Sequence, residues 1–120
     1  MNVVVTSLRH TADKAEPFIN AEEAWFWFIA AMKAREDGAR FTAGMGKAVR
    51  PCEPVDIYKA MERLYRMRRL QIDHVKVLRH YGRRGVAPDQ YYAREMIAHR
   101  LWREALERLE ISLRAKGIVQ

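Results

Sequence analysis

The sequence predicts an all-α protein: a compact bundle of about four helices with a long last helix, behind an irregular N-terminal arm at residues 1–19. Three observations carry this expectation. Apolar residues recur three and four apart in several separate stretches, the period of one helix face. Pro54 and Pro88 precede two of those stretches, while Gly38, Gly82 and Gly117 follow three, the order expected of helix starts and stops. A hydrophobic content of 49% beside 31% charged residues is that of a folded globule. At 120 residues the chain fits one domain, read as residues 20–120 following the arm.

The first helix is expected over residues 21–37. Asn20 can cap it while Glu23 reaches back as a capping box, and Gly38 can take the left-handed conformation beyond its end. Trp25, Phe28, Ile29 and Met32 form its core stripe. The adjoining Phe26 and Trp27 widen that stripe, so this helix is either central in the core or meets another chain. Residues 38–53 read as a loop, with a short extended piece at Arg40 to Thr42.

The second helix, residues 54–69, opens at Pro54 with Asp56 in its first turn. Ile57, Tyr58, Met61, Leu64 and Tyr65 make its apolar face. A short third helix, 73–81, is expected from Asp73 as cap, an Ile72–Val77 staple and Gly82 as stop. The last helix is expected from Pro88 to Lys116, about 40 Å at 1.5 Å per residue. Ala98, Trp102, Ala105, Leu109 and Leu113 mark its packing seam.

Several function classes are disfavoured. The longest apolar run, Ala24 to Met32, is about half of the roughly 20 residues of a membrane span. The start, MNVVVTSLRH, lacks the roughly 7–15 apolar residues of a signal-peptide core. The lone Cys52 suits a reducing compartment, so a cytoplasmic protein without membrane contact is expected. Gly44-Met45-Gly46-Lys47 sits where a phosphate-binding loop would invite comparison. Phe41 replaces the first glycine of that motif and Ala48 its magnesium-binding hydroxyl. His10, His74, His80 and His99 show no zinc spacing and read as surface or boundary residues. No nucleophile stands beside a base, and Glu104, Glu107 and Glu110 interleave with Arg100, Arg103, Arg108 and Arg114 as helix-surface ion pairs. The expectation is a protein that is not an enzyme, with no cofactor and no metal.

Charge is distributed unevenly. Residues 59–84 hold nine Lys/Arg against two Asp/Glu, which equals the +7 net charge of the entire chain. Some of these arginines close the second helix and complement its negative end. Lys76, Arg79, Arg83 and Arg84 exceed that need, and the preference for arginine suits planar contacts with phosphate or carboxylate.

The run Leu70-Gln71-Ile72-Asp73-His74-Val75-Lys76-Val77-Leu78-Arg79-His80-Tyr81-Gly82 resembles the opening helix of the fourth region of bacterial sigma factors, a helix-turn-helix domain, and is similar to short runs in phage antitermination proteins. The resemblance implies that the start of the last helix, around Gln90, Tyr91 and Arg94, is offered to a major groove. The expected function is that of a small, transcription-associated nucleic-acid-binding protein, with duplex DNA as the favoured partner. Its site would comprise Arg63, Arg66, Arg69, Lys76, Arg79, Arg83, Arg84, Gln90, Tyr91 and Arg94. The alternative is an interaction module that docks on an acidic protein surface, or a homodimer using the Trp25–Phe28 cluster and the last helix.

Overall fold

The computed structural model describes residues 15–38 and 49–120. The extended piece expected at Arg40 to Thr42, the Gly44–Gly46 loop and His10 lie outside the described residues. Among those described, the chain forms four α-helices: α1 (Ala21–Glu36), α2 (Pro54–Arg66), α3 (Ile72–Arg84) and α4 (Met96–Ala115). A 3-10 turn at Ala93–Glu95 leads into α4. The architecture is the expected all-α bundle with a long last helix.

α1 packs against each of the other three helices, and so does α4. The wide aromatic stripe of α1 is accounted for by that central position. Trp25, Phe28 and Ile29 are buried, while Met32 stays partly exposed at the rim. Phe26 and Trp27 are half-buried, their rings 5.5 Å from Trp102 and 5.2 Å from Phe18. Asn20 caps the helix by accepting the Glu23 N–H at 2.9 Å; the Glu23 carboxylate reaches one residue further back than expected, to the Ile19 N–H. On α4, the seam residues Trp102, Ala105, Leu109 and Leu113 are all buried within this chain.

Phe18 is fully buried in the same core. Its N–H donates to Ile118 O and its carbonyl accepts from Gln120 N–H, both at 2.9 Å, making a parallel bridge with Val119. The tail can turn back because Gly117 takes a φ of 75° and lets the Ile118 N–H bond Leu113 O, burying Ile118 against the helix it follows.

Several helix boundaries differ from expectation, the larger differences each for a local reason. α2 ends at Arg66 rather than at residue 69, because Arg68 enters the left-handed region (φ 61°). The Arg68 and Arg69 amides then bond Tyr65 O and Leu64 O, a Schellman closure without its usual glycine. α3 starts one residue before Asp73 and runs past Gly82 to Arg84. Its flanking residue is Gln71, whose N–H is taken by His74 Nδ1 at 3.0 Å, and Ile72 is the first residue of the helix, about half exposed. Gly85, with φ 79°, performs the stop assigned to Gly82.

Gly82 serves packing instead. A β-carbon there would lie 2.8 Å from both Trp25 Nε1 and Ile29 Cγ1. The bare backbone allows the Trp25 indole to approach and donate to Leu78 O, one turn earlier, at 2.8 Å.

The last helix begins at Met96, eight residues after Pro88. At 20 residues, α4 is about 30 Å long rather than about 40 Å. Asp89 explains the delay. Its carboxylate accepts the Tyr91 N–H at 2.8 Å and its carbonyl accepts the Tyr92 N–H at 3.2 Å, so the chain closes a local turn in place of a helical one.

Candidate nucleic-acid interface

α2 directs Ile57, Ala60 and Met61 to the core. Lys59, Arg63 and Arg66, spaced four and three apart, therefore project from its exposed side. α3 directs His74, Leu78, Tyr81 and Gly82 inward, leaving Lys76, Arg79 and Arg83 exposed on its opposite face with a similar spacing. Between the two helices, the link places Arg68 and Arg69 in solvent while Leu70 is buried and anchors the turn.

The cations fall into three groups by what they touch. Lys59, Arg63, Arg68, Arg69, Lys76 and Arg79 make no ion pair or side-chain hydrogen bond with any described residue. Arg66 and Arg83 are exposed and pair with the exposed Glu62 and Glu36, at 3.0 and 2.8 Å. Surface pairs of this kind are worth roughly 0–1 kcal/mol, so a phosphate can compete for either arginine. Arg84 stands apart. It binds both oxygens of Glu95 at 2.8 and 3.3 Å, donates to Val86 O and Ala87 O, and lies 4.5 Å from the Tyr81 ring centroid. Arg84 is a strut for the segment between α3 and α4, and its guanidinium is occupied.

Arg68 escapes sequence reasoning because nothing in Arg66-Met67-Arg68-Arg69 identifies which residue turns left-handed. A non-glycine residue pays roughly 1–2 kcal/mol there. Lys59 was legible, since it continues the Arg63 and Arg66 spacing by one turn. The residues expected to meet a groove are not on an α-helix: Gln90 and Tyr91 sit in the Asp89 turn and Arg94 in the 3-10 turn, all exposed.

His74 is buried, contrary to its expected surface position. Because Nδ1 accepts from Gln71, the proton lies on Nε2 and is donated to Glu104 Oε1 at 2.9 Å. This bond holds the Glu104 carboxyl below its ordinary pKa, with Arg100 and Arg108 adding to the effect. Glu104 is thus drawn to α3; of the pairs expected along α4, Arg114–Glu110 at 3.2 Å is the one formed among the described residues. Burial, reinforced by Asp56 and Glu53, pushes the Cys52 thiol up to about 11, which makes it a poor nucleophile. No group of His, Cys, Asp and Glu among the described residues could hold a metal ion. No described helix is long and apolar enough to cross a membrane.

In comparison with known proteins, no family model, curated protein or solved structure matches the chain.

Proposed function

We propose that this chain is a small nucleic-acid-binding protein, cytoplasmic and transcription-associated, that holds the phosphate backbone of duplex DNA through α2, α3 and the arginine link between them. The observation that carries the proposal is the set of six exposed cations without a carboxylate partner among the described residues: Lys59, Arg63, Arg68, Arg69, Lys76 and Arg79. Complementing the negative end of α2 accounts for Arg63 and its neighbours in part, but not for Lys76 and Arg79, which lie away from the C-terminal end of α3. Exposed on two helices and the turn joining them, the six cations raise a positive potential that attracts polyanions. The persistence of Arg68 in a strained conformation supports a role for its side chain.

Fluorescence anisotropy with a labelled duplex tests this. Binding at low salt is expected, weakened in Arg63→Gln plus Lys76→Gln plus Arg79→Gln and little changed in Lys33→Gln, a cation outside the set. Absence of duplex binding at low salt, together with capture of an acidic polypeptide, would replace DNA with an acidic protein as the partner.

A further inference from the structure

The segment between α3 and α4 is bound tightly to itself and yet exposes its largest side chains. Arg84 ties down Val86 O and Ala87 O, and Glu95 accepts the Asp89 N–H at 2.8 Å. Asp89 in turn fixes the Tyr91 and Tyr92 amides. Out of this frame Tyr91 stands 88% exposed, with Tyr92 about half exposed beside it. A mobile loop would lose entropy on ordering around a ligand; a loop already cross-braced in this way has little left to lose.

The residues beside the rings in the chain can complete a contact. Of the two acids of the segment, Glu95 is neutralised by Arg84, while Asp89 spends one carboxylate oxygen on the Tyr91 amide and keeps its charge. Arg94 is exposed and makes no bond with any described residue, and Gln90 offers an exposed amide next to the rings. An exposed ring on a braced turn, with the exposed Arg94 guanidinium three residues along the chain, fits a base stacked on the ring and its phosphate held by that arginine.

We propose that Tyr91 is a stacking platform for an unpaired base, so that the protein prefers duplex DNA adjoining a single-stranded segment over fully paired duplex. The inference rests on the nucleic-acid binding proposed above and adds the form of the substrate. Tyr92 and Arg94 complete the platform, one as a second ring and the other as a phosphate contact.

The test compares three labelled DNAs of equal duplex length: blunt, with a short thymidine overhang, and with the same overhang made abasic. The abasic strand retains the phosphates and removes the rings. The thymidine overhang is expected to bind roughly five- to a hundredfold tighter than the abasic one. Tyr91→Ala should abolish that difference, and Tyr91→Phe should restore it. Equal binding of the thymidine and abasic overhangs by the natural protein would overturn the stacking proposal and leave duplex binding intact. Failure of all three DNAs to bind at low salt would instead overturn the function on which it rests. Because Tyr91 is solvent-exposed, its variants are expected to fold, which circular dichroism would verify.

Discussion

The indole nitrogen of Trp25 occupies the space that a β-carbon at position 82 would need, and from there it reaches the carbonyl of Leu78. Two opposing effects bear on Gly82→Ala. Replacing glycine inside a helix ordinarily gains about 1 kcal/mol. Here the added methyl meets the body of a buried indole and the stem of Ile29, and the Trp25–Leu78 bond is strained or lost, at about 1–3 kcal/mol for overpacking and a similar amount for a buried donor left unmade. The clash wins. Thermal unfolding should show Gly82→Ala less stable than the natural chain, whereas Gly82→Ser should not rescue it.

Arg68 carries the opposite expectation. Glycine at its left-handed position relieves roughly 1 kcal/mol of backbone strain, so Arg68→Gly should raise the melting temperature by a few degrees. It also deletes a cation from the proposed interface. DNA affinity should therefore fall as stability rises, and a fall in both would mean that Arg68 serves the fold instead.

Acid should weaken the α3–α4 contact through Glu104. Its pKa is depressed in the folded chain by the His74 bond, so it contributes stability above the ordinary glutamate pKa of about 4.3, and that contribution disappears as pH falls through the lower folded value. Urea titrations from pH 7 downward should find Glu104→Gln less stable near neutrality. The gap from the natural chain should close in acid.

Cys52 offers a check on local burial and charge. With its thiol pushed up to about 11, alkylation by iodoacetamide at pH 8 should be on the order of a hundredfold slower in the folded protein than in the unfolded chain. Equal rates would show that neither burial nor the nearby Asp56 and Glu53 hold the thiol up.

The parts of the fold legible in the sequence were those whose signals are local and redundant. Asn20, Glu23 and Gly38 bracket α1, and the repeating apolar residues of α4 identify the seam that ends up buried. Gly82 was misread because a buried glycine chosen for helix contact looks the same in sequence as one chosen for a turn. Pro88 was misread because the residue that postpones α4, Asp89, acts through hydrogen bonds that compete with helix formation. His74 and Glu104 lie thirty residues apart, and no spacing rule along one helix announces a contact between two. Charge showed which residues form the basic stretch but could not separate Arg84, bound on all sides, from Arg79, which is free of described partners.

Salt dependence of duplex binding tests the proposed function most directly. If six cations each neutralise one phosphate, log affinity should fall against log salt with a slope of about −5, costing about a thousandfold between 50 and 200 mM salt. Replacing Arg63, Lys76 and Arg79 by Gln should reduce the slope by about 3 while leaving the helical spectrum unchanged. A slope near zero, or no binding at 50 mM salt, would contradict the assignment of these residues to a phosphate backbone.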